Sequence, residues 1–277
     1  MRDETSLIKA MRHSNVVINC IGQSHPAKLD YLMKETNVEG AENIARLSKI
    51  LGIDRLIHVS LLKKTQNSSL QNSSNLSLFI DTKAAGEAIV LKERPDATIF
   101  RPASMWGSAD HFLSYFASLA RRVSLGSTAH IYLPDKGINT IQQPVYYGDV
   151  AEAISIAAVS PSTAGKIFEA VGPHRYRMDD LIKWIYFTMR YLPTEIKIVD
   201  NLLWKRLTEL RILPQLLYQD SLTDQLTDNP TLEDIGVKLT KLEDRLHHIL
   251  FWYRRYREYW DAVSEFPAPP SPPIQNQ

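Results

Sequence analysis

Apolar residues follow two different rhythms in the first quarter of the chain. Val38, Ala41, Ile44, Ala45, Leu47 and Leu51 fall three or four positions apart, which predicts a helix over roughly 35–51 with Gly52 as its stop. On either side, NVVINCIG (15–22) is a β-branched run too short for a helix, and DRLIHVS (54–60) reads as the next strand. Runs of that kind suit strands buried on both faces of a parallel sheet. A shorter stripe, Leu7, Ile8 and Met11, predicts a helix ahead of the first strand.

The alternation continues. A helix is expected from about Leu78 to Arg94, stopped by Pro95, and then a strand at ATIFRP (97–102). PVYY (144–147) reads as a strand before a helix capped by Asp149, and KIFEAVG (166–172) as a strand before a helix from Met178. Strands separated by helices make βαβ units, so the fold class is α/β with a parallel sheet. Between Lys63 and Ser77 the chain is polar and repeats QNSS, the mark of a loop. Residues 183–219, with Trp184, Trp204 and Pro214, read as helical, aromatic and cationic. Thr240-x-x-Glu243 has the form of a capping box. It opens a stripe of Leu242, Leu246, Ile249, Tyr253, Tyr256 and Trp260, suited to packing on a neighbour or a membrane surface. The pattern divides the chain into a sheet domain (1–175), a mostly helical region (176–262) and a proline-rich, disordered tail (263–277).

Composition narrows the classes of function. The net charge of +1 over 277 residues gives no general attraction for nucleic acid. FWYRRYREYW (251–260) offers rings and cations, but its spacing is that of a packing stripe, so no nucleic-acid partner is expected. One cysteine, Cys20, allows no intrachain disulfide and suits a reducing compartment. Three Asn-x-Ser sequons begin at Asn67, Asn72 and Asn75, a by-product of the polar loop. No stretch reaches 18 apolar residues, and MRDETSLIKAMRH makes a poor transit peptide. His247 and His248 lack metal-ligand spacing, so no metal is expected.

Ligands of open α/β sheets lie at the carboxyl ends of strands. The segments there are NCIGQS (19–24), HVSLL (58–62), RPASMWG (101–107) and QPVYYGDVAEAI (143–154), joined by GKIFEAVGP (165–173) and a helix bearing Lys83. In this order they resemble the extended and atypical short-chain dehydrogenase/reductases. ARLSKILGIDRLIHVSLL, DTKAAGEAIV, HFLSYFASLARR, FEAVGPHRYRMDDLIKWI and LEDIGV narrow the resemblance to a nucleotide-binding accessory branch of that superfamily, found in mitochondrial respiratory complex I.

The resemblance implies a Rossmann-like sheet with NADPH as a structural cofactor. It implies other complex I subunits as partners, C-terminal helices at the membrane surface, and a place on the matrix side of the mitochondrial inner membrane. It assigns cofactor contacts to Ile21, Gly22, Ser60, Lys83, Pro102, Ala103 and Ser104. Two departures stand out. None of the 11 glycines forms the family's G-x-x-G-x-x-G turn, so the first strands of the family's sheet, roughly 70–100 residues, are expected to be missing. The family's catalytic tyrosine falls at Phe79, one helical turn before Lys83, and a phenyl ring cannot transfer a proton.

Each assignment has a plainer reading. Lys83 can be a solvated lysine, Ser60 a cap for the next turn, Gly22 a tight turn, and Pro102–Ser104 a loop. His25, His58 and His111 are substitute acids only in principle. The expectation is therefore a non-catalytic accessory subunit with no catalytic residue. The alternatives are an NAD(P)-dependent reductase or epimerase with another proton donor, and a cofactor-free interaction protein.

Overall fold

The computed structural model describes residues 3–23, 31–63, 78–108, 110–123, 129–191, 196–199, 222–255 and 270–275. The β-branched runs become strands, and α1 (Glu4–Met11) precedes them. β1 (Val16–Asn19), β2 (Arg55–Val59), β3 (Thr98–Pro102) and a later strand, Ile167–Ala170, form one four-stranded sheet, each neighbouring pair parallel. This is the expected α/β architecture. Ile57 faces a cluster with Val150, Ala153 and Ala157, while Leu56 packs with Ile44, Leu47 and Val90 on the other face. Burial on both faces suits the apolar centres of β2 and β3, while Ile18 of β1 remains exposed.

Two helical stretches prepare the strand ends. Residues 31–50 form one continuous rod: α2 (Tyr31–Lys34), a π turn (Glu35–Glu39) and α3 (Gly40–Ile50). Gly52 leaves it at φ +65°, the left-handed stop that the pattern predicts. α4 (Leu78–Glu93) lies against it, and Arg94 ties off its end by donating to the Ile53 carbonyl at 3.1 Å and pairing with Asp96.

Beyond β3 come β4 (Met105–Trp106), α5 (Phe112–Val123), β5 (Ala129–Tyr132), β6 (Ile141–Gln142) and β7 (Val145–Tyr146). They are followed by α6 (Tyr147–Val159), β8 (Ile167–Ala170), β9 (Tyr176–Arg177), α7 (Met178–Thr188), β10 (Ile196–Val199) and α8 (Leu242–Ile249). One apolar cluster joins Phe79 and Ile80 to Trp106, Phe116, Tyr186 and Leu246, so buried packing runs across residue 175.

The structure departs from the sequence reading at several points. The helix expected over 183–219 ends at Thr188, and β10 pairs in parallel with β5; residues 200–221 lie outside the described residues. α6 starts at Tyr147, with Tyr146 as its cap residue. Asp149 instead accepts from the Thr240 amide (2.6 Å) and hydroxyl (2.8 Å). That contact removes Thr240 from its capping role, and Glu243 turns to the Tyr176 hydroxyl at 2.6 Å. α8 begins at Leu242, with no side-chain cap at Lys241. Leu242 and Leu246 of the stripe are buried in the chain's own core and Ile249 and Tyr253 pack part-buried against it, while Tyr256 and Trp260 lie outside the described residues. Residues 270–275 of the tail are seated, with the Gln275 amide donating to the Arg175 carbonyl at 2.9 Å and Ile274 bridged to Tyr176.

Candidate functional site

β1 and β2 end side by side, with Asn19 opposite His58. The Ile21 amide donates to the Asn19 side chain at 3.1 Å, and only Oδ1 of that side chain can accept. That fixes the amide orientation and leaves Asn19 Nδ2 donating to His58 Nδ1 at 3.0 Å. The imidazole proton therefore sits on Nε2, which is buried and has no acceptor. Burial, reinforced by the Lys83 charge, pushes the His58 pKa down to about 3, so the ring is neutral.

Lys83 reaches this corner from α4. Its side chain is buried, and Nζ donates to the Val59 carbonyl at 2.8 Å. Burial lowers its pKa to about 8 against the opposing pull of Cys20 and Glu87. A Cβ placed on Gly22 would stand 3.2 Å from Nζ, so glycine lets the backbone run close beside the ammonium. Asn37, on the π turn, holds this segment. It accepts from the Gln23 amide at 2.8 Å, and its Nδ2 lies 3.1 Å from the Gln23 carbonyl and 3.0 Å from Thr82 Oγ1. The sequence reading does not single out Asn37. Its only signal is an amide beside the apolar face that begins at Val38.

The expected contacts divide into two groups. Gly22, Lys83 and the end of β2 converge, with Ile21 exposed beside them. Ser60 follows Val59; its amide donates to the Phe100 carbonyl at 2.7 Å, while its buried Oγ has no partner. Pro102 ends β3, accepting from the Leu62 amide at 3.0 Å, and Ala103 and Ser104 follow it, tied inward. Ala103 packs on Leu62 and Val171, and Ser104 donates to Gln142 Oε1 at 3.3 Å. The same Gln142 oxygen accepts from Lys63 Nζ at 2.9 Å, and Lys63 lies 3.6 Å from Asp224. Lys63 and Asp224 are fully buried, an ion pair that the sequence reading missed.

Phe79 is buried one turn before Lys83, in the cluster with Met33 and Trp106. Among the described residues no phenol hydrogen bonds to the ammonium. Of the weighed histidines, His25 lies outside the described residues and His111 immediately precedes α5. Among the described residues no group of three His, Cys, Asp or Glu could hold a metal ion.

The corner presents donors: an ammonium, a serine hydroxyl and a neutral imidazole N–H. Two of them are buried without acceptors, a standing cost that a ligand's oxygens would relieve. Those residues fit the ribose and nicotinamide end of a dinucleotide. The described residues supply no glycine-rich turn for its pyrophosphate.

No family model matches the chain. It is 34% identical over 272 residues to NADH dehydrogenase [ubiquinone] 1 alpha subcomplex subunit 9, mitochondrial, of Rattus norvegicus, covering 95% of this chain and 68% of that one. It is 28% identical to the mitochondrial NADH-ubiquinone oxidoreductase 40 kDa subunit of Neurospora crassa, over 94% of this chain and 66% of that one. Among solved structures it resembles a dTDP-glucose 4,6-dehydratase of Streptomyces venezuelae with NAD bound, with a TM-score of 0.68 at 18% identity, over 95% of this chain and 80% of that one. That likeness shows the Rossmann-type fold.

Proposed function

The chain belongs to the family of alpha subcomplex subunit 9 of mitochondrial NADH dehydrogenase (ubiquinone), and we propose that it is a non-catalytic accessory subunit of respiratory complex I. The observation that carries the non-catalytic reading is the pair Phe79 and Lys83. The lysine side chain is buried with its ammonium on a backbone carbonyl, and the ring one turn away is packed in the core with no proton to give. The role is assembly or stability of the complex, on the matrix side of the inner membrane and in contact with other subunits.

A structural NADPH belongs to the same reading. Lys83, Ser60 and the backbone at Ile21 and Gly22 would hold its ribose and nicotinamide end, with Pro102, Ala103 and Ser104 assigned to it by the resemblance. The chemistry such a group would supply is that of a hydride donor, and these residues would only hold and orient it. The orphaned Ser60 hydroxyl supports this placement.

Native electrophoresis of mitochondria tests the assignment. The endogenous protein is expected to co-migrate with complex I, and recovery only as a free monomer defeats the proposal. Calorimetry with NADPH tests the site: Lys83→Met is expected to weaken binding, and unchanged affinity removes Lys83 from it. Steady NADPH turnover by the purified protein, abolished by Lys83→Ala, would establish the reductase reading instead.

A further inference from the structure

A cavity of about 760 Å³ opens between the start of α6 and α8, and none of the cofactor residues lines it. Its walls include Ser108, Tyr146, Tyr147, Lys238, Arg245 and His248. The Tyr146 ring lies 4.9 Å from Trp106, and the Arg245 guanidinium sits 5.1 Å from its centroid. Tyr147 tilts against Tyr146 at 4.8 Å, its hydroxyl 3.4 Å from Ser108 Oγ, and remains 43% exposed. Two glycines make this arrangement possible. A Cβ on Gly107 would stand 1.8 Å from the Tyr147 ring, and one on Gly148 would stand 2.4 Å from the Tyr146 ring. Both rings thus lie flush on backbone where any larger residue would displace them.

The cavity has an excess of positive charge. Lys238 and Arg245 line it together with one carboxylate, Asp244; neither cation has a carboxylate partner among the described residues, and Arg245 Nη1 donates to the Tyr146 hydroxyl at 3.4 Å. Asp149, close by, is engaged by Thr240. Unpaired cations beside an open aromatic face suit a ligand that carries both an anion and a flat ring. The volume falls within the range of small-molecule sites, roughly 300–1,000 Å³. We propose that this cavity is a second ligand site, which takes a mononucleotide with its ring on Tyr147 and its phosphate toward Arg245 and Lys238.

The test is calorimetric titration of the full chain with AMP, adenosine and inorganic phosphate in turn. AMP is expected to bind more tightly than either part alone. Arg245→Gln is expected to raise its Kd about tenfold or more, the scale of a lost charge-assisted contact. Lys238→Gln changes only an exposed side chain and is expected to weaken AMP severalfold without altering the fold. Tyr147→Ala is expected to reduce AMP to the affinity of phosphate. Equal binding of phosphate and AMP, or full AMP affinity in the Lys238 and Arg245 variants, overturns the proposal. Loss of AMP binding in Lys83→Met with full binding in Arg245→Gln does so as well, because it moves the nucleotide to the strand ends.

Discussion

Two influences keep the His58 imidazole neutral: burial and the positive charge of Lys83. The unfolded chain takes up this proton below about pH 6.5, while the native state resists it until about pH 3. Stability from this group is therefore complete above pH 6.5. It is lost as the pH falls toward 3, at up to about 1.4 kcal/mol per pH unit. His58→Asn keeps an acceptor for Asn19 and should lose less stability than the parent between pH 7 and pH 4.5 in urea unfolding. Equal losses would remove His58 from the acid response. The Lys63–Asp224 pair shows the cost of unpaired charge. Lys63→Met or Asp224→Asn alone should each destabilise by about 3–5 kcal/mol, because a buried charge loses its partner. The double variant should cost clearly less than the sum, since it leaves neither charge of the pair buried alone. Simple additivity in the melts would mean the two groups are independent.

At the scale of elements, α4 and the π turn are pressed together. A Cβ on Gly86 would lie 2.1 Å from the Asn37 carbonyl oxygen, which belongs to backbone and cannot swing aside. Gly86→Ala would gain about 1 kcal/mol in helix propensity at an exposed site. Here a net loss of about 2–4 kcal/mol is expected, with the Asn37 bonds to Gln23 and Thr82 disturbed. A denaturant melt that shows stabilisation would mean the two helices separate freely. The failed capping box belongs to the same scale. Thr240 and Glu243 have the right spacing, yet Asp149 and Tyr176 reach them from elsewhere in the chain with stronger contacts.

For the whole molecule, the exposed edge of the sheet matters most. Among the described residues β1 pairs only with β2, and Ile18 remains 45% exposed. An open edge with a half-exposed isoleucine invites pairing with another strand. The 277-residue chain should self-associate as its concentration rises in sedimentation experiments, and Ile18→Lys should reduce this. A clean monomer at all concentrations would show that the edge is already protected. The same exposure suits a subunit that meets other chains in an assembly.

The β-branched runs, the 35–51 stripe and Pro95 specify strands, helices and a parallel sheet locally, because burial on two faces leaves an unbroken apolar run and burial on one leaves a period near 3.6. The strand ends are legible for the same reason, whereas Lys83 and the phenyl ring at Phe79 stand out only through the family resemblance. What only the tertiary structure decided is which polar groups meet. Asn19 and His58 are 39 positions apart, Lys63 and Asp224 far more, and Asp149 and Thr240 are 91 apart. No local pattern records such pairings. They form because packing buries each group, and a buried donor, acceptor or charge must find a partner wherever the chain brings one.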